Sequence, residues 1–150
     1  MSYKISPASA DSVDVFFLSN LLHADLEKKY GKGNIEDFVE ENKRMIEFYV
    51  VYDCENKPVA CGALKQHDSL TAEIKRMFVI NDHRGKGLSK LVLSHLENLA
   101  AKLNYKRIVL ETGTKQPEAI SLYKKFGYTP IICYGKYSDD EESRCFEKMI

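Results

Sequence analysis

The sequence has no excess of charge and no long hydrophobic segment. Its 22 Lys and Arg residues balance its 22 Asp and Glu residues, so the formal net charge at pH 7 is zero. Proteins that bind nucleic acid by neutralising phosphates normally carry a basic excess, so we expect no nucleic-acid partner. The longest apolar run, residues 48–52, is far too short to cross a membrane. Neither end shows a signal core or a lipidation motif. We therefore expect no membrane partner and a cytoplasmic location.

Cysteine, glycine and proline are also scarce. The four cysteines are Cys54, Cys61, Cys133 and Cys145, and no two of them form a CxxC pair. This spacing excludes a metal finger and predicts buried or half-buried free thiols in a reducing compartment. The four histidines fall in no ligand spacing, so we expect no metal. With 8 Gly and 4 Pro among 150 residues, the chain is neither a collagen-like fibre nor a low-complexity linker. The length predicts one domain over residues 1–150.

Strand-like and helix-like segments follow one another without a linker. Candidate N-caps at residues 9–12 predict an amphipathic helix that ends near Gly31, and Asn34 is positioned to cap a shorter one. Three consecutive strands then predict an antiparallel meander. After the meander, predicted helices and strands alternate along the chain. The predicted strands span residues 3–5, 48–54, 58–64, 71–80, 107–111, 129–134 and 144–149, and the two later helices span 88–103 and 117–126. The pattern predicts one α+β domain with a mixed sheet and helices on both faces.

A glycine-rich loop joins the third strand of the meander to the next helix. It reads Arg84-Gly85-Lys86-Gly87 and opens directly onto Leu88. Glycines let the backbone approach a ligand closely, and free N–H groups at a helix start favour an anion. Arg84 and Lys86 add positive charge. The loop therefore predicts a cradle for a phosphate or pyrophosphate group, with a solvated turn as the alternative.

Two nucleotide-binding motifs compete for this loop, and both fit poorly. A P-loop requires Ser or Thr after its Gly-Lys pair, but Gly87 follows Lys86. The dinucleotide pattern GxGxxG would need its third glycine at Lys90. That pattern also belongs near the start of a parallel βαβ unit, whereas an antiparallel meander comes first here.

Two segments together resemble the GNAT family of acyl-CoA-dependent N-acetyltransferases. The family's first signature has Arg or Gln, two residues, Gly, one residue and then Gly or Ala; here it reads Arg84 to Ser89, with Ser89 as the last small residue. Its second signature resembles Gln116 to Tyr128, with Gln116 where many members have Asn. The two stand in the family's order and separation. The resemblance is specific from Glu73 to Tyr128 and extends over about residues 3–150.

The resemblance implies a fold and a co-substrate. The fold would be α+β with a central mixed, mostly antiparallel sheet, helices on both faces, and strands 4 and 5 splayed apart. Acetyl-CoA would lie in that splay, with its pantetheine arm along the backbone of Met77 and Val79. A bulge at Phe78 would leave the N–H of that residue to the oxyanion. The pyrophosphate and the rest of the molecule would be held by Arg84, Gly85, Lys86, Gly87, Leu88, Ser89 and Gln116.

The resemblance also implies the catalytic groups. Amine attack on a thioester needs a base for the amine, stabilisation of the oxyanion and an acid for the thiolate. Glu73 matches the family's base position and Tyr123 its general acid. Other readings stay open. Glu111 is a second base candidate, Glu73 could be a solvated edge carboxylate, and Tyr123 could be a core aromatic. No cysteine lies near these residues in sequence, which favours direct transfer in a ternary complex.

Together these features predict an acetyl-CoA-dependent N-acetyltransferase that acts on a primary amine of a small molecule or peptide. A non-catalytic CoA-binding module of the same fold is the alternative, and a homodimer is compatible with either. We expect the acceptor pocket around Tyr30, Asn34, Phe38 and Tyr137. The acidic run at residues 139–142 is either a solvated hairpin tip or a feature that attracts a cationic amine.

Overall fold

A computed structural model describes residues 2–150. Met1, with which the predicted domain begins, lies outside the described residues. The strands are β1 (Lys4–Ala8), β2 (Glu47–Tyr52), β3 (Pro58–Gln66), β4 (Thr71–Val79), β5 (Arg107–Gly113), β6 (Thr129–Ile131) and β7 (Ser143–Met149). The α-helices are α1 (Val13–Tyr30), α2 (Ile35–Glu41), α3 (Leu88–Lys102) and α4 (Pro117–Lys125). The predicted α+β class is confirmed.

All seven strands form one sheet in the order β1-β2-β3-β4-β5-β7-β6. Every neighbouring pair is antiparallel except β4 and β5, which are parallel. Strands β2, β3 and β4 form the predicted antiparallel meander. Alternate side chains of the sheet enter two separate cores: Val50 packs with Val15 and Leu18 of α1, whereas Val51 packs with Val92 and Leu96 of α3. Helices therefore cover both faces, as predicted.

The parallel pair β4 and β5 separates part of the way along its length. Pairing runs from Thr71 opposite Arg107 to Ile74 opposite Leu110 and then stops, although both strands continue. From that point the two strands leave backbone N–H and C=O groups facing each other across a gap. The predicted splay between strands 4 and 5 is confirmed.

Helix starts follow the local sequence closely. The Ser12 hydroxyl accepts from the Val15 N–H at the start of α1, and the Asn34 side chain accepts from two backbone N–H groups at the start of α2. The end of the chain differs from its prediction. Strand β6 stops at Ile131 rather than at residue 134, because the chain then leaves the sheet for a turn in which Gly135 has φ 54°.

The prediction that all four cysteines are free is wrong for two of them. Cys133 and Cys145 form a disulfide. Cys61 is free and buried, as predicted, whereas Cys54 is free but exposed, so the prediction of a buried or half-buried thiol is wrong there. The pairing follows from the topology, because β6 and β7 are antiparallel neighbours and bring the two Cα atoms to 5.1 Å. A separation of 12 residues conceals this proximity in the sequence. Within residues 2–150 no helix has the length and hydropathy to cross a membrane.

Candidate active site

A large cavity opens where β4 and β5 separate. Its volume is about 1490 Å³, and its walls come from β4, β5, α1, α2 and the first turns of α3 and α4. Most of the predicted site residues line this cavity. Glu73, Met77, Phe78, Val79, Arg84, Gly85, Gly87, Leu88, Ser89, Glu111, Gln116 and Tyr123 all line it, and so do Tyr30, Asn34, Phe38 and Tyr137. Lys86 is exposed and lies outside this lining.

A β-bulge in β4 shapes one wall of the cavity. The register jumps from Cys61 opposite Phe78 to Ala63 opposite Lys75, so β4 contains one extra residue here. Arg76 takes up the extra residue with φ 62°, an uncommon conformation for a side chain larger than glycine. The family resemblance predicts the bulge at Phe78, and the structure places it at Arg76 instead. As a result Lys75 and Arg76 both face α2 rather than opposite sides of the sheet.

The loop before α3 has the conformation that an anion site needs. Gly85 and Gly87 have φ of 77° and 78°, and Gly87 is the N-cap of the helix. A Cβ at either position would meet no atom within 4 Å, so there is open space in front of the loop. The first N–H groups of α3 have no partner inside the helix. Arg84 is fixed nearby because its Nε donates to the Val79 carbonyl at 2.9 Å. These groups fit a pyrophosphate.

Two carboxylates lie near the point of strand separation, Glu73 on β4 and Glu111 on β5. Glu73 is buried, with 6% of its surface exposed, and accepts a hydrogen bond from the Tyr134 hydroxyl at 2.9 Å. The interpretation of Glu73 as a solvated carboxylate is therefore wrong. Glu111 accepts from the Ser143 hydroxyl at 2.7 Å. Burial raises the pKa of Glu111 above its ordinary value, although Ser143 and Lys75 oppose that shift.

Tyr123 lies between the cavity and the hydrophobic core. Its ring packs edge-on to Tyr128 at 5.8 Å between centroids, and it shares a core cluster with Ile120 and Phe126. It also lines the cavity. Burial, and then the negative charge of Glu111, raise the pKa of Tyr123, so the phenol keeps its proton at neutral pH. Tyr123 therefore packs as a core residue and also borders the cavity.

Tyr30 at the end of α1 connects the cavity to the start of α4. Its hydroxyl donates to the Gln116 side-chain oxygen at 3.2 Å and accepts from the Lys115 N–H at 3.1 Å. A Cβ at Gly113 would collide with this hydroxyl, so glycine allows Tyr30 to contact β5. Gln116 therefore lies at the cavity with its amide oxygen already bonded.

An ion cluster that the sequence pattern does not predict forms the far wall. Glu41 lies 2.8 Å from Arg76 Nη2, and farther from three lysine Nζ atoms: Lys65 at 3.4 Å, Lys75 at 3.8 Å and Lys136 at 3.9 Å. Burial opposes ionisation of Glu41, but Lys75, Arg76 and Lys136 lower its pKa to about 2. Strand alternation could have placed Lys75 beside Glu73, because residues two apart share a face. The bulge that adds Arg76 to β4 has no corresponding pattern in the sequence. Among residues 2–150 no cluster of His, Cys, Asp and Glu is arranged to hold a metal.

Comparisons with known proteins agree with this geometry. The acetyltransferase (GNAT) family model matches residues 15–128. The uncharacterized N-acetyltransferase YsnE of Bacillus subtilis is 39% identical over 92 residues, which cover 60% of this chain and 61% of YsnE. A GNAT-family acetyltransferase of Staphylococcus aureus superposes with a TM-score of 0.81 at 16% identity, over 99% of both chains. A GNAT acetyltransferase of Elizabethkingia anophelis, solved with acetyl-CoA bound, superposes with a TM-score of 0.78 at 20% identity, over 99% of this chain and 98% of that one.

The solved structures share the fold, and the family model matches most of the chain, including both signature segments. The chain belongs to the GNAT family of acetyltransferases.

Proposed function

We propose that this protein transfers an acetyl group from acetyl-CoA to a primary amine, by direct attack while both molecules are bound. The observation that carries the proposal is the separation of β4 and β5 beside the glycine turn of α3, with two carboxylates and a buried phenol in the same cavity. Family membership supports an acetyltransferase activity. The primary-amine acceptor and the catalytic role of each residue are part of what we propose.

The residues of the cleft fit acetyl-CoA. The backbone of Met77 and Val79 borders the gap, and the Met77 side chain is turned away into the core below α3. The N–H groups from Gly85 to Ser89 would hold the pyrophosphate, with Arg84 adding charge. Gln116, at the start of α4, faces the same cavity. When bound, acetyl-CoA supplies the activated acetyl thioester.

The carboxylates are candidates to take the proton from the attacking amine. We assign this role to Glu73, whose carboxylate is fixed by the Tyr134 hydroxyl. Glu111 is the alternative. A general base works best when its pKa lies near the operating pH, and the raised pKa of Glu111 is a shift in that direction. The resemblance predicts the Phe78 N–H as the donor to the oxyanion, but Phe78 pairs with Cys61 of β3 and the bulge lies at Arg76, so we do not assign it this role.

Tyr123 is the candidate acid. Its phenol stays protonated at neutral pH and reaches the cavity from the side of α4. It would give its proton to the departing sulfur, which would otherwise be able to attack the newly acylated amine. No free cysteine of the described residues lines the cavity, which supports direct transfer rather than an acyl-enzyme.

A thiol-release assay tests the proposal. Acetyl-CoA is incubated with the protein and a panel of amino acids, polyamines, aminoglycosides and peptides, and free CoA is measured against a no-enzyme control. Amine-dependent release supports the proposal. Tight CoA binding without release for any amine would support the non-catalytic module instead. A cytoplasmic location, one domain over the whole chain and a homodimer remain predictions from the sequence.

A further inference from the structure

Lys75 is a buried cation with spare hydrogen-bonding capacity. Its side chain is 7% exposed and lines the cavity. Its Nζ donates to the Tyr137 hydroxyl at 3.0 Å. The nearest carboxylate oxygen, from Glu41, is 3.8 Å away, beyond a good hydrogen bond. An ammonium group has three donors, and a buried charge is stable when its donors are matched. The cavity can therefore accept an anionic group beside Lys75.

The closest contact of Glu41 is with a different cation. Arg76 donates to Glu41 at 2.8 Å, to the Asn42 side chain at 2.9 Å and to the Phe38 carbonyl at 3.1 Å. Its guanidinium also stacks on the Phe38 ring at 3.7 Å. Because the bulge adds Arg76 next to Lys75, one carboxylate faces two buried cations. Arg76 is in direct contact with Glu41, whereas Lys75 is farther from that carboxylate and borders the cavity.

The carboxylates of the proposed proton transfer lie close to this cation. Glu73 is two residues before Lys75 on the same face of β4, and Glu111 on β5 is near enough that Lys75 opposes the rise in its pKa. The acceptor end of the cavity thus has negative charge where an amine must bind and positive charge beside it. A diamine would bring no acceptor group for the free N–H donors of Lys75. A molecule with an amine and an adjacent carboxylate complements both.

We infer that the acceptor is a small amino-carboxylate, of which an amino acid is the simplest kind, and that Lys75 binds its carboxylate while Tyr137 orients the lysine. The amine then lies toward Glu73 and Glu111. This inference rests on the proposed acetyl transfer. It adds the chemical class of the acceptor and the residue that selects it.

Matched acceptor pairs test the inference. Each amino acid is compared with its own carboxamide, which keeps the amine and side chain and removes only the negative charge. We expect at least one amino acid to be acetylated with a kcat/KM about 10- to 100-fold above that of its amide, the range expected for a hydrogen bond to a charged group. Lys75→Gln should abolish most of that ratio, and Lys75→Arg should preserve it.

Lys65→Gln is the matched control. Lys65 also carries a positive charge beside Glu41, at 3.4 Å, but it lies outside the cavity lining. The ratio of amino acid to amide should survive this change. Thermal melting of each variant shows that it is folded, and the ratio is measured within one variant, so a general loss of activity does not affect it.

The results of this assay distinguish a wrong acceptor class from the absence of acetyl transfer. Preference for amides or polyamines, or a ratio unchanged in Lys75→Gln, would overturn the inference and leave acetyl transfer standing. The same conclusion follows if other amines are acetylated but no amino acid is. If acetyl-CoA does not bind at all, the proposed function itself fails, and the inference fails with it.

Discussion

The Tyr134 hydroxyl donates a hydrogen bond to the Glu73 carboxylate at 2.9 Å, across 61 residues of sequence. Tyr134 directly follows Cys133, which is bonded to Cys145 of β7. Burial and the charge of Glu73 raise the pKa of Tyr134, so it remains a donor at neutral pH. One disulfide therefore holds the loop that orients the candidate base.

The first prediction concerns the base. Glu73→Gln should lower the rate most at low pH, where little free amine exists, and a higher pH should partly restore it, since proton abstraction contributes about 10²–10⁴-fold. The measurement is kcat/KM against pH, with Glu111→Gln expected to show a weaker effect. Glu118→Gln is the control, because it also removes a carboxylate that lines the cavity, but an exposed one at the start of α4. A larger defect in Glu111→Gln would transfer the role to Glu111.

The second prediction concerns the acid. Tyr123→Phe keeps the ring against Tyr128 and removes only the hydroxyl. We expect kcat to fall by about 10²–10⁴-fold with little change in acetyl-CoA affinity or melting temperature. Tyr128→Phe is the matched control, because that hydroxyl bonds to Glu97 outside the cavity. A Tyr123→Phe enzyme within about twofold of wild-type kcat, far from the 10²-fold expected of a general acid, would show that Tyr123 serves the core alone.

The third prediction concerns the pH dependence of stability. The pKa of Glu41 in the folded protein is about 2, below its ordinary value of 4.5. A lowered pKa means that the unfolded chain binds the proton more tightly, so the stabilisation is present above pH 4.5 and is lost as the pH falls toward 2. Glu41→Gln should lower the free energy of unfolding at pH 7 by about 1–3 kcal/mol.

Urea unfolding at a series of pH values measures this effect. The difference between the wild type and Glu41→Gln should shrink steadily below pH 4.5. Glu40→Gln, on the same helix but paired only with the exposed Lys43, provides a control for helix effects. A difference that stays constant with pH would mean that Glu41 contributes through packing and not through its charge.

The fourth prediction concerns the disulfide. Replacing both Cys133 and Cys145 by Ser should lower the free energy of unfolding by about 2–4 kcal/mol, because the bond closes a loop and so restricts the unfolded chain. Reduction of the wild-type protein with a dithiol should have a similar effect. Cys54→Ser, which changes a free and exposed thiol, should be neutral. Equal melting temperatures with and without reductant would show that the bond does not stabilise the fold.

Local sequence signals predict much of this structure, and long-range contacts account for what they miss. Ser12 and Asn34 predict their helix starts because a cap is a short-range hydrogen bond. The glycine loop before α3 is likewise visible. The bulge at Arg76 is a property of strand pairing rather than of composition. The contact between Cys133 and Cys145 depends on where β6 lies in the sheet, which the sequence pattern does not reveal.

The central claim is that acetyl-CoA is held where β4 and β5 separate, at the start of α3. Isothermal titration of acetyl-CoA into the wild type, Gly87→Glu and Gly87→Ala tests it most directly. Both variants place a side chain at φ 78° and share that backbone strain, but only glutamate adds bulk and negative charge in front of the helix. We predict binding to the wild type, weaker binding to Gly87→Ala and none to Gly87→Glu. Unchanged affinity in Gly87→Glu would contradict the claim.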